Sequence, residues 1–169
     1  MDQTVINFAC YEDNREFIGL ATATLPDIGW INNSLSGAGI AGNIESVVLG
    51  HMEAMTLGLS FHTVTRYGIL LAEPRIHIID LRVAQQEENT VESALEVVAL
   101  KHVFKMIPKA FRGGSVSPAA PGDPSGEYAV RYWATYINGR KTLELDPLNN
   151  RCFVNGRDYL APVKAALGK

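Results

Sequence analysis

This sequence of 169 residues contains few cysteines and no long apolar run. The two cysteines, Cys10 and Cys152, lie in apolar surroundings, and neither belongs to a C-x-x-C motif. Buried free thiols in a reducing compartment are therefore favoured over a disulfide. No apolar stretch approaches the roughly 20 residues that a membrane-spanning helix needs, so no membrane partner is expected.

The N-terminal stretch MDQTVINFACYEDN lacks the features of a targeting segment. It has no basic flank followed by an apolar core, so neither a signal peptide nor an anchor is predicted. We expect synthesis in a cytosol.

An excess of basic charge is also missing. The formal net charge is −3, and the lysines and arginines are scattered among a slight excess of acids. Tight binding to nucleic acid normally requires a basic patch, so that class of function is not supported. The length fits a single domain over residues 1–169, and the hydrophobic content of 47% is ordinary for a globular protein.

The stretch SGAGIAG contains the glycine spacing of a dinucleotide-binding loop. Gly37, Gly39 and Gly42 spell G-x-G-x-x-G. Such a loop follows a buried strand and opens a helix, whereas here the polar Asn32 precedes it and the helix-breaking Gly50 follows soon after. A dinucleotide-binding enzyme stays a remote alternative, no cofactor is expected, and the favoured interpretation is a loop with left-handed backbone positions.

Catalytic and metal-binding motifs are incomplete or absent. His51 and Glu53 form an H-x-E pair, but the P-C-x-x-C half of the zinc-deaminase signature is missing. His62, His77 and His102 fall on separate predicted strands, where we expect them to face solvent or a polar channel. No G-x-S-x-G nucleophile motif is present. The sequence therefore predicts no catalytic residue, no metal site and no enzyme activity.

The remaining pattern is mainly β. Extended segments are predicted at residues 5–11, 17–25, 28–35, 44–49, 52–64, 75–86, 94–107, 127–137 and 141–146. A short helix capped by Thr65 runs to about Ala72, and a last helix runs from Asp158, its predicted N-cap, to Leu167, with Gly168 as C-cap. Residues 113–126 form a Pro/Gly-rich loop. These elements predict a small β-sandwich or barrel of two packed antiparallel sheets with a short helix and a C-terminal helix.

Two strands carry information about packing. In segment 52–64 the large apolar residues alternate with small or polar ones, so Met55, Leu57, Leu59 and Phe61 are predicted to pack inside the subunit. The long strand 94–107 is partly apolar on both faces, which a small sandwich cannot cover alone. Neighbouring copies could cover it, and this favours an oligomer.

Seven stretches occur in the order found in one known family. They are LPDIGW, LSGAGIAGNIES, GHMEAMTLGLSFHTVT, LAEPRIHIIDLRVAQQ, MIPKAFRGG, INGRKTLELDPLN and DYLAPVKAALG. Over nearly its whole length the sequence resembles the major tail tube proteins of contractile bacteriophage tails. Tube subunits of R-type bacteriocins, type VI-like secretion systems and other contractile injection systems are alternatives that the sequence does not separate.

The resemblance implies a structural role in a virion tail. Family members form sixfold rings that stack into a hollow tube inside a sheath, a conduit for the tape measure protein and then DNA. Partners would be the chain itself, the sheath, the tape measure, transiently DNA, and the baseplate and tail terminator at the ends. Assembly would take place in the host bacterial cytoplasm.

The resemblance also implies two functional surfaces. Residues 31–48 would form a protruding hairpin loop that packs on the neighbouring ring. Its glycines allow positive φ angles and its isoleucines offer apolar anchors; these residues are Gly37, Gly39, Ile40, Gly42 and Ile44. The polar face of segment 52–64 would face the lumen, extended by two charged residues of a later strand; these residues are Ala54, Thr56, Gly58, Ser60, His62, Asp80 and Arg82.

Overall fold

The structure, a computed structural model, describes residues 3–169 and consists mostly of antiparallel strands. The strands are β1 (Thr4–Glu12), β2 (Arg15–Phe17), β3 (Leu20–Thr24), β4 (Trp30–Leu35), β5 (Ile44–Met52), β6 (Met55–Phe61), β7 (His77–Asn89), β8 (Ala94–Arg112), β9 (Ser125–Ile137), β10 (Arg140–Asp146), β11 (Arg151–Val154) and β12 (Arg157–Asp158). The helices are α1 (Arg66–Leu71) and α2 (Ala161–Ala166), with a 3-10 turn at Pro147–Asn149. The predicted mainly-β fold with a short helix and a C-terminal helix is confirmed. Within residues 3–169, no helix combines the length and apolar character needed to cross a membrane.

Ten strands form one sheet that branches at β9. The order β12-β11-β10-β9-β8-β7-β1-β2 is continuous, and β6 joins β9 while β3 joins β6. Residues 125–130 of β9 pair with β6, and residues 133–137 pair with β10. The branch containing β6 and the branch containing β10 and β11 both contribute side chains to one core cluster, together with β1, β7, β8 and β9. The other sheet is the hairpin β4–β5.

Strand β6 follows the predicted alternation. Met55, Leu57, Leu59 and Phe61 are buried, and the intervening residues are half-buried. Because alternate side chains of a strand point to opposite faces, Thr56, Gly58 and Ser60 lie on the face away from the core. The local sequence pattern thus sets the orientation of this strand.

Several predicted segments differ from the observed strands. Segment 17–25 divides into β2 and β3 at Gly19, which has a φ of +95°. Segment 52–64 is not one strand, because β5 ends at Met52 and β6 begins at Met55, and the intervening Glu53 N–H donates to Gly29 O at 2.8 Å. Strand β8 continues past the predicted end to Arg112, with a register shift at Pro108–Ala110 where proline cannot donate to the ladder.

The last helix begins later than predicted. It runs over Ala161–Ala166 after Leu160, so Asp158 is not its N-cap. Asp158 instead belongs to β12, which pairs with β11. The sequence analysis predicted neither of these two strands. Gly168 has a φ of +73° and directly follows the C-cap residue Leu167. The Thr65 cap of α1 is confirmed, because Thr65 Oγ1 accepts the Gly68 N–H at 3.2 Å.

Candidate functional site

The glycine stretch lies in the turn of an antiparallel hairpin. β4 precedes it and β5 follows, so the strand–helix order of a pyrophosphate site is not present. Gly39 and Gly42 have φ angles of +90° and +134°, as the left-handed interpretation predicts. Space around the Cα atoms of Gly37, Gly39 and Gly42 is open, so close packing within the subunit does not require glycine at these positions, and backbone conformation favours it at Gly39 and Gly42.

The hairpin of residues 30–52, called the arm below, exposes many apolar side chains. β4 and β5 pair with each other and with no strand of the larger sheet. The exposed apolar residues are Ile31, Leu35, Ile40, Ile44, Val47 and Leu49. A concentration of exposed apolar groups on one element is typical of a surface that binds a partner.

The predicted lumen residues of β6 and β7 lie on one face of the larger sheet. Thr56 pairs with Ala129, which pairs with Ile107, while Asp80 pairs with Val103. Directly opposite residues of antiparallel strands share a face, and Ile107 and Val103 alternate with the buried Phe104 and Met106 on β8. Asp80 and Arg82 are therefore on the same face as Thr56, Gly58 and Ser60, called the outer face below. Ala54 and His62 flank β6 and are exposed.

The outer face also collects basic residues that the sequence analysis treated as scattered. Lys101, Lys105 and Lys109 recur every four residues along β8. Lys105 lies over the ring of Tyr132 at 4.9 Å, and Lys109 Nζ donates to Thr56 Oγ1 at 3.3 Å. The even spacing of Lys101 and Lys105 was a signal in the sequence, because it places both on one face of the strand. Lys109 lies within the register shift at Pro108–Ala110, and its bond to Thr56 places it on the same face.

Asp80 partly neutralises this charge. Its Oδ2 atom lies 3.8 Å from Arg82 Nη2 and 3.7 Å from Lys101 Nζ. Near the other end of β8, Arg112 pairs with Glu127 at 3.2 Å. The outer face thus carries charges of both signs with a local excess of cations, beside apolar residues such as Val103 and Ile107, on a chain whose net charge is −3.

Two histidines are buried, which contradicts the expectation that they face solvent or a polar channel. His77 is 0% exposed; its Nδ1 lies 2.9 Å from Glu12 Oε1, and its Nε2 lies 2.9 Å from Glu73 O. His102 Nδ1 lies 2.9 Å from Thr135 Oγ1, and burial lowers the pKa of this histidine. Hydrogen bonds to other strands and to the segment after α1 compensate for the loss of water around the two rings. These histidines therefore connect separate elements of the fold.

The thiols do not form a reactive site. Both cysteines are free and buried. Burial, with the nearby charges of Glu12 and Asp80, raises the pKa of Cys10 to about 12, and burial also raises the pKa of Cys152. A thiol with a raised pKa is a poor nucleophile at neutral pH. Among the residues that the structure describes, no group of histidine, cysteine and acidic side chains is arranged to hold a metal ion.

Among the described residues 3–169, the strand path β3-β6-β9-β8-β7-β1 of the larger sheet has an unpaired edge at each end. β2 covers only Cys10–Glu12 of β1, so residues 4–9 pair with β7 alone. β3 likewise pairs only with β6. Val5 is 53% exposed along the first edge. Unpaired edges with exposed apolar residues are templates for pairing with another chain.

Comparison with known proteins relates this architecture to contractile machines. The family model described as phage tail tube protein FII matches residues 2–168. The sheath/tube terminator of PVC, an extracellular contractile injection system in its extended state, has a TM-score of 0.54 at 8% identity and covers 79% of this chain and 95% of its own. The PVC sheath–tube complex, also extended, has a TM-score of 0.50 at 10% identity and covers 76% of this chain and 87% of its own. No curated protein sequence matches the chain significantly.

Proposed function

Because this chain belongs to the phage tail tube protein FII family, which is a structural family and not an enzyme family, we propose that it is the inner tube subunit of a contractile tail. Six copies would form a ring, and stacked rings would form a hollow conduit for the tape measure protein and then DNA. The sheath would surround the tube, and the baseplate and tail terminator would close its ends. The assembled protein would reside in the virion tail after assembly in the bacterial cytoplasm.

The observation that carries the proposal is the pair of free edges on one sheet. Residues 4–9 of β1 and strand β3 terminate opposite sides of the branch β3-β6-β9-β8-β7-β1. Pairing the β1 edge of one subunit with the β3 edge of the next would continue the sheet around the ring. Closure into a barrel removes every edge, which stabilises strands that a single subunit leaves unpaired.

Electron microscopy of concentrated protein tests the proposal directly. Negative stain should show rings or tubes, and Val5→Lys should abolish them while circular dichroism stays native, because a lysine on an edge strand opposes pairing. Leu148→Lys is the matched control, since Leu148 is exposed on the 3-10 turn, which forms part of neither edge strand. Native protein that stays monomeric at every concentration would contradict the proposal.

The outer face would line the lumen. Thr56, Gly58 and Ser60, with the flanking Ala54 and His62, offer small or polar groups that permit a cargo to slide. Asp80 and Arg82 would continue this wall on β7. In assembled tubes, Thr56→Cys should react with a small maleimide but not with a polymer-linked maleimide too wide for the lumen, whereas Leu148→Cys should react with both. Equal reaction of Thr56→Cys with both reagents would place the outer face outside the tube.

The arm would contact the neighbouring ring. Ile40 and Ile44 supply apolar anchors near its end, and Gly37, Gly39 and Gly42 allow the turn to approach another backbone closely. Deleting residues 34–43 and closing the hairpin with a short turn should leave the subunit folded but prevent stacking. Normal tubes from this variant would show that the arm is only a surface element.

A tube subunit of an R-type bacteriocin, a type VI-like secretion system or another contractile injection system is the second candidate. Both solved structures described above belong to such a system, which favours this alternative at the level of the fold. Electron microscopy of purified particles distinguishes the two candidates. A phage tail joins a DNA-filled capsid, whereas a bacteriocin or injection device has no capsid.

A further inference from the structure

Leu160 occupies the space above Gly50 at the base of the arm. A Cβ atom added at Gly50 would lie 2.4 Å from Leu160 Cδ2 and 2.6 Å from Leu160 Cγ, closer than real carbon atoms approach. Gly50 also has a φ of +67°, which disfavours any other residue. Leu160 itself is buried. The segment after β12 therefore packs closely against strand β5 at the contact between Leu160 and Gly50.

Asp158 holds Leu160 in this position. Its Oδ1 atom accepts the N–H of Leu160 at 3.0 Å and the N–H of Cys152 at 3.3 Å. The Tyr159 N–H donates to Cys152 O at 2.8 Å, and Lys164 Nζ lies 3.7 Å from Asp158 Oδ2. These bonds connect the turn before α2 to β11, so β11 determines where Leu160 lies.

The rest of the arm base is only partly enclosed, because Trp30 and Met52 lie half-buried against the core. A cavity of about 410 Å³ lies there. It is lined by Trp30 and Val47 of the arm, by Cys152 and Val154 of β11, and by Tyr159 after β12. The arm strands share no ladder with the larger sheet. An arm that is free to swing would lose orientational entropy on docking, so a contact that holds it in place beforehand would strengthen assembly.

We propose that Leu160, held by Asp158, is a positioning residue that fixes the direction of the arm for ring stacking. The Asp158–Leu160 turn and Gly50 form a latch between the segment that ends in α2 and the arm. This proposal rests on the proposed function of the arm as the contact between rings.

Fluorine NMR of protein labelled with 5-fluorotryptophan tests the latch in the unassembled subunit. The chain has two tryptophans; Trp30 lines the cavity at the arm base, and Trp133 lies in the core. Leu160→Ala should shift and broaden the Trp30 resonance and leave the Trp133 resonance unchanged. Leu167→Ala is the matched control, because Leu167 is exposed in the same segment and should change neither resonance.

The same variants connect the latch to assembly. Leu160→Ala should raise the protein concentration needed for tubes about tenfold relative to Leu167→Ala, equivalent to ~1.4 kcal/mol. Gly50→Ala adds a methyl at the same contact and should also disturb Trp30, which keeps the test decisive if Leu160→Ala fails to fold. An unchanged Trp30 resonance in both folded variants, or a disturbed resonance with normal tube formation, would overturn the latch. Normal tubes after deletion of residues 34–43 would instead refute the role of the arm.

Discussion

The neighbouring residues Thr56 and Leu57 on β6 should respond oppositely to truncation. Leu57 is 0% exposed, whereas Thr56 is half-buried on the outer face. Leu57→Ala removes buried methyl groups and leaves a cavity, which costs about 2–5 kcal/mol of unfolding free energy. Thr56→Ala removes a hydroxyl that accepts a hydrogen bond from the exposed Lys109. The unfolding free energy should therefore change by roughly 0.5 kcal/mol or less.

These free energies correspond to a clear difference in melting temperature. In a domain of this size, each kcal/mol shifts the melting temperature by about 2–4 °C. A loss near 3 kcal/mol for Leu57→Ala therefore predicts a drop of about 6–12 °C, against about 2 °C or less for Thr56→Ala. Melting must be followed by circular dichroism in dilute protein, because assembly stabilises the folded state by mass action.

The outcome tests the strand register along the path β3-β6-β9-β8-β7-β1. A shift of one residue in strand pairing would exchange the two faces of β6 and reverse the ranking of the two variants. Equal melting temperatures for Leu57→Ala and Thr56→Ala would therefore refute the assignment of a core face and an outer face. That result would also remove the basis for placing the outer face in the lumen.

Burial raises the pKa of Glu144, but hydrogen bonds from Lys141 and Tyr132 outweigh it and hold that pKa below its usual range. A depressed folded-state pKa contributes stability at neutral pH that disappears as pH falls through it, so Glu144→Gln should flatten the acid limb of a stability–pH curve; an unchanged limb would contradict this. Cys10, with its pKa near 12, should stay unmodified by Ellman's reagent in the folded protein, and rapid modification before unfolding would refute its burial. Thr65→Ala should reduce the urea unfolding free energy by about 1 kcal/mol through loss of the α1 cap, and no change would show that the cap is dispensable.

Local features were readable from the sequence alone because their causes lie within a few residues. The alternation of β6 follows from period two, and the Thr65 cap from a hydroxyl three residues before its donor. Asn138 and Gly139 take positive φ angles in the turn between β9 and β10, the conformation that an Asn-Gly dipeptide favours. The arm strands β4 and β5 also appear close to their predicted bounds. Each of these predictions needs only the conformational preferences of neighbouring residues.

Only the tertiary structure decided which distant residues meet. His77 is buried with Glu12, far away in the chain, as its acceptor, and Asp158 joins Cys152 of β11 to Leu160 at the start of the helix that follows. The shared face of Asp80 and Thr56 depends on registers across β7, β8 and β9, including a register shift between β8 and β9. The Gly50–Leu160 contact likewise joins two segments with no common motif. Sequence spacing determines the local direction of a side chain, whereas register and packing between distant strands determine its neighbours, because that register is set by interactions summed over the whole sheet.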